Sequence, residues 1–109
     1  MATNPRLEEL WGLVRRIPAG RVAAYSALGR ALDRPVSGFL VGRMMANCPD
    51  DVPWWRVIKL DGHTAVDKIS PGAGIEQLRK LREENTPFLD EETVARAAFV
   101  DPDTFGIAP

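Results

Sequence analysis

The chain has 109 residues, 45% hydrophobic and 27% charged, which is enough for one modest core and too little for two. One cysteine, Cys48, excludes an internal disulfide, and one histidine, His63, leaves no zinc-ligand cluster, so neither a metal nor a cofactor is expected. The net charge of −1, taken whole, speaks against a nucleic-acid binder.

Asn4-Pro5 reads as a helix cap followed by proline at the first helical position, with Glu8 and Glu9 in the first turn. Leu7, Leu10, Trp11, Val14 and Ile17 recur at helical spacing, which predicts a core-facing helix from Pro5 to Arg16 with Trp11 in its buried stripe. Ile17-Pro18-Ala19-Gly20 stops it, and Arg21 to Tyr25 reads as a short extended connector. Ser26 is a good cap for a second helix over Ala27 to Leu32, with Leu28, Ala31 and Leu32 turned inward. After the break at Asp33-Arg34-Pro35, a third helix is expected from Val36 to Asn47. Two short helices across a tight turn form a helix-turn-helix pattern.

Helical projection of the third helix places Leu40, Val41, Met44 and Met45 on one side and Phe39, Gly42, Arg43 and Ala46 on the other. Two small residues allow close approach to another surface, and Arg43 suits a phosphate. An outward Phe39 calls either for a partner surface or for cover by the C-terminal segment.

Pro53 biases Val52 toward an extended form, and Val57-Ile58 reads as the start of a buried strand. Trp54 and Trp55 thus stand at a loop-to-strand junction, where neighbouring rings point to opposite sides: both can be core, or one can line what lies outside it. Asp61-Gly62, between Val57–Leu60 and His63–Val66, signals a hairpin and hence a wing beside the helix pair. Ser70 to Gly74 is expected as a loop. Ile75, Leu78 and Leu81 then begin a long helix with Glu76/Lys80 and Lys80/Glu84 pairs, which Asn85 and Pro87 end. Residues 93–100 fit a short helix or a strand. The fold expected is a small, mostly helical α/β single domain over 1–109, with a helix-turn-helix and a winged hairpin.

Charge is unevenly divided. Residues 1–60 hold nine Lys or Arg against five Asp or Glu, and residues 61–109 hold five against ten. Such a split either builds an electropositive face from the first half or merely solvates helix surfaces. No basic region leads into an apolar run at the amino terminus, and no apolar stretch reaches membrane-spanning length, so a cytoplasmic protein with no membrane contact is expected.

The run Ile17 to Tyr25, then Val41-Gly42, Asn47 and Pro53-Trp54-Trp55-Arg56-Val57, resembles the DNA-binding domain of the O6-alkylguanine-DNA alkyltransferases, over about residues 7–88. Those enzymes carry Pro-Cys-His-Arg, whose cysteine accepts the alkyl group. Trp54 stands in its place, which is similar to the alkyltransferase-like proteins that cannot perform the transfer. Their lack of the enzyme's N-terminal domain also matches the short chain.

The resemblance implies minor-groove binding by the helix-turn-helix, with Tyr25, Ser26, Phe39, Gly42, Arg43, Ala46 and Asn47 on DNA. Tyr25 helps rotate the target base and Asn47 lies at the hinge after the recognition helix. Pro53, Trp54, Arg56, Val57 and Ile58 form the lesion pocket, and Glu84 matches a family glutamate left with a structural role. Phe39 aligns with the family's intercalating arginine, and the family's Gly-Tyr loop after the hairpin is not recognisable in Val66 to Gly74. The implied partner is double-stranded DNA with alkylated guanine, bound by a monomer that hands damage to nucleotide excision repair. Rival readings are a helix-turn-helix transcriptional regulator without lesion specificity and an enzyme using Cys48, whose acidic neighbours Asp50 and Asp51 disfavour a thiolate.

Overall fold

The computed structural model describes residues 4–65 and 72–102. Helix α1 (Pro5–Arg15) begins as its first residues dictate: the Asn4 side chain accepts the Arg6 amide at 2.9 Å, and Pro5 needs no amide partner there. Its inward stripe buries Leu10, Trp11 and Val14, so Trp11 is structural as expected.

The segment expected as a plain connector contains strand β1 (Ala23–Ala24). It pairs in parallel with β2 (Val57–Ile58), Ala23 opposite Val57 and Ala24 opposite Ile58. Val22 extends this edge by accepting the Val100 amide at 2.8 Å and donating to the Ala98 carbonyl at 3.0 Å. Alternation along the strands divides the interior. Ala23 and Val57 face a larger cluster with Leu10, Val14, Ile17, Leu28, Val41 and Val52. Val22 and Ile58 face a smaller one with Leu81, Val94 and Ala98.

Helix α2 (Tyr25–Ala31) starts before Ser26, which therefore sits inside the first turn and is not the cap. The cap position falls on Ala24, which offers no side-chain acceptor, and the parallel strand pairing fixes this start in its stead. Helix α3 (Gly38–Met44) is shorter than the expected 36–47. Ser37 caps it by accepting the Leu40 amide at 3.2 Å, and Met45–Asn47 continue as a 3-10 turn. The two helices meet closely: the Val36 amide donates to Gly29 at 3.0 Å, and a Cβ on Gly29 would lie 2.2 Å from the Val36 carbonyl oxygen. Only glycine fits there. Val41 and Met45 are buried, whereas Leu40 is 39% exposed and departs from its expected inward place.

The wing does not form as a β-hairpin among the described residues. The turn at Asp61-Gly62 is present, closed by Lys59 N–H to the His63 carbonyl at 3.2 Å and Gly62 N–H to the Lys59 carbonyl at 2.9 Å. No antiparallel ladder follows through Ala65: beyond the Lys59–His63 bond, the Gly62 carbonyl is taken by the Val94 amide at 2.9 Å. Val66 lies outside the described residues, as do Ser70 and Pro71 of the expected loop, whose last two residues, Ala73 and Gly74, are already helical.

Helix α4 (Ala73–Glu83) begins two residues earlier than expected and ends at Asn85, whose φ of 62° makes the left-handed stop. Its buried face is Gly74, Gln77 and Leu81, and Ile75 lies outside at 76% exposure. Glu76 pairs with Lys80 at 3.8 Å, but Glu84 turns away from Lys80 to Arg56. The 93–100 stretch contains a 3-10 turn at Arg96–Ala98 and bridges through Val94 and Phe99.

Candidate nucleic-acid interface

The tryptophan pair lies in a 3-10 turn (Trp54–Arg56) that runs directly into β2 at Val57, the loop-to-strand junction expected of it. Pro53, with φ −76° and ψ 71°, brings the Trp54 amide 2.7 Å from the Val52 carbonyl, an inverse γ-turn that sends the chain into the tighter coil. The rings still diverge: their planes meet at 87° with centroids 6.1 Å apart. Trp54 packs against the larger cluster and Trp55 against the smaller. Trp55 is also held between cations, with Lys80 4.7 Å and Arg56 5.5 Å from its ring centre.

Three elements are tied together beneath this turn. Arg56 donates through Nε to Glu84 at 3.0 Å, through Nη2 to the other Glu84 oxygen, and through Nη1 to the Ile17 carbonyl at 2.8 Å. Glu84 also accepts the Gly20 amide at 3.4 Å. Partial burial opposes ionisation of Glu84, but the hydrogen bonds and charge of Arg56 outweigh it and hold the carboxyl below the usual range. From α4, the buried Gln77 amide donates to the carbonyls of Trp55 at 3.1 Å and Val57 at 2.8 Å. The turn is thus fixed from both sides.

A cleft of about 530 Å3 opens between the helix pair and the chain around the Asp61-Gly62 turn. One wall is helical: Tyr25 and Ser26 from α2, and Gly38, Phe39, Gly42 and Arg43 from α3. The other wall is Lys59, Leu60 and Ala65 around the Asp61-Gly62 turn. Burial pushes the Tyr25 phenol up to about 12, so it stays a neutral hydroxyl donor at physiological pH. Phe39 is 77% exposed, so no described residue covers it. Arg43 is exposed and has no ion-pair partner among the described residues.

The sequence-expected residues therefore fall into two groups. Tyr25, Ser26, Phe39, Gly42 and Arg43 converge on the cleft, with Ala46 and Asn47 exposed on the 3-10 turn that follows α3. Of the expected lesion pocket, Pro53, Val57 and Ile58 are buried, the last two in the separate clusters, Arg56 is taken up by Glu84 and Ile17, and Trp54 packs against the larger cluster; none of these five lines this cleft. Lys59, Leu60 and Ala65 were missed, because Lys59-Leu60 reads as more strand. The adjoining turn signal was the clue that the strand ended earlier.

The model of the 6-O-methylguanine DNA methyltransferase DNA-binding domain matches residues 5–86. The chain belongs to this family. It is similar to Atl1 of S. pombe in a crystal structure with damaged DNA containing O6-carboxymethylguanine, with 28% identity, 83% of this chain and 84% of that one covered, and a TM-score of 0.70. A second S. pombe structure, an ATL in complex with DNA, matches at 26% identity over 92% of this chain and 98% of that one, with a TM-score of 0.77. The bifunctional methyltransferase/endonuclease of Thermoplasma volcanium is 36% identical over 74 residues, 66% of this chain. The chain spans only 23% of the length of that relative.

Proposed function

We propose that this chain binds duplex DNA carrying an O6-alkylated guanine, extrudes the damaged base and holds it without removing the alkyl group. The observation that carries the reading is the Trp54-Trp55 pair at the motif position where the family enzymes have cysteine and histidine. Indole is neither a thiolate nor a general base. The nearby carboxylate of Glu84 is engaged by Arg56, which leaves no relay to activate a nucleophile. Burial pushes the Cys48 thiol up, and the charges of Asp50 and Asp51 add to this, so it is a poor substitute.

DNA binding is supported by family membership and by the S. pombe complexes, which hold DNA with a similar fold. Tyr25 supplies a neutral phenol beside the target nucleotide, and Arg43 supplies a phosphate contact. Extrusion costs a few kcal/mol, recovered by contacts in the cleft. A protein that holds damage without repairing it acts as a flag, and hand-over to nucleotide excision repair by a monomer is the role this reading assigns.

Fluorescence anisotropy on matched duplexes with and without a single O6-methylguanine tests the proposal, alongside incubation with radiolabelled methylated DNA. Preference for the lesion duplex with no label on protein is expected. Label on Cys48, or equal affinity for both duplexes, overturns it.

A further inference from the structure

Two large apolar side chains stand exposed on opposite walls of one cleft. Phe39 on α3 is 77% exposed and Leu60 on the turn is 73% exposed, and neither belongs to a core cluster. A single exposed leucine needs no explanation. Two that border the same cavity, each next to an accessible cation, do: Phe39 shares its wall with Arg43, and Leu60 shares its wall with Lys59.

We propose that Phe39 and Leu60 are a pair of apolar wedges and that Lys59 is a phosphate contact facing Arg43, so that the strand bearing the extruded guanine is gripped between two walls of the cleft. The inference rests on the lesion-binding reading above. Minor-groove proteins insert leucine as readily as phenylalanine between base steps, and phosphates flank any such step. Lys59 is available for the role: its ammonium lies 3.8 Å from Asp61, with both side chains close to half exposed or more, and such a surface pair is weak enough for a phosphate to displace.

The turn that carries Leu60 is built to hold its place. Gly62, at φ 89°, takes a conformation that other residues resist, and a Cβ there would lie 2.5 Å from the Val94 carbonyl oxygen. The Gly62 carbonyl accepts the Val94 amide, and the Asp61 side chain accepts the His63 amide at 3.0 Å. An apolar side chain on a braced turn loses little entropy when it inserts.

The test compares wild type, Leu60→Ala, Phe39→Ala and the double variant on the O6-methylguanine duplex and its undamaged match, with thermal melts of each protein. Leu60→Ala should weaken lesion binding about tenfold, leave undamaged DNA nearly unaffected and leave thermal stability unchanged. The double variant should lose less than the product of the single losses, because both wedges close on one nucleotide. Leu60→Met should retain the preference. Lys59→Met should weaken both duplexes alike and flatten the salt dependence by about one contact. Unaltered lesion binding by Leu60→Ala, in a protein whose wild type prefers the lesion, overturns this inference and leaves the proposed function standing. A wild type with no preference overturns both.

Discussion

Gly42 shows how a residue can be out of place for folding and in place for binding. It sits inside α3, where glycine costs about 0.5–1 kcal/mol relative to alanine. Nothing in the fold demands that cost: a Cβ there would find only Tyr25 Cε1 at 3.9 Å, an ordinary contact. Gly42→Ala should therefore raise stability by about 0.5–1 kcal/mol in chemical denaturation. The same methyl narrows the helical wall of the cleft, so DNA affinity should fall. Stabilisation with unchanged affinity would remove Gly42 from the interface. The residues of that wall were legible in the sequence because helical projection alone sorts Phe39, Gly42 and Arg43 from Val41 and Met45. Leu60 was not, since an apolar residue two beyond Ile58 looks like one more inward strand position.

Among the elements, those specified by neighbouring residues were readable and those specified by distant ones were not. Asn4-Pro5 marks the start of α1, and Asn85 the end of α4, through local backbone chemistry. Strands of two residues are too short for any period, and the pairing of Ala23 with Val57 is decided by what packs on either side of them. For the same reason the expected hairpin gave way to a turn, and the carboxylate of Glu84 went to Arg56 instead of Lys80. That ion pair has a measurable signature. Its side chains are only 16% and 15% exposed, so Glu84→Gln should cost about 3 kcal/mol at neutral pH. Because the folded-state carboxyl is held below its ordinary value of 4.5, the contribution is complete above that value and fades as pH falls through the lowered folded-state one. Wild type and Glu84→Gln should accordingly converge in stability on acidification. A gap independent of pH would assign the loss to packing.

Across the whole molecule, charge is arranged more tellingly than it is summed. Basic residues predominate in the first sixty positions, and the cleft presents Arg43 and Lys59 with no carboxylate among the described residues that line it. Binding to either duplex should weaken with added salt, with a log–log slope of about −2 to −4, as expected for roughly two to four phosphate contacts. Lesion preference should survive the titration, since stacking and apolar insertion are not screened. A flat salt response would remove phosphate from the interface.

The two indoles that pack against different clusters also bear on what a change toward alkyl transfer would require. On the proposed reading, a cysteine placed at position 54 would not by itself confer alkyl transfer. Position 55 would still offer it an indole and not a base, and Glu84, whose carboxylate is tied to the turn, already serves Arg56. Replacing Trp55 as well would empty part of the smaller cluster and strip Lys80 and Arg56 of their aromatic partner. Each single step back toward chemistry passes through a variant that is less stable or still inert. On the proposed reading, the pair acts as an evolutionary ratchet: packing, not the lost nucleophile alone, keeps this chain a reader of damage.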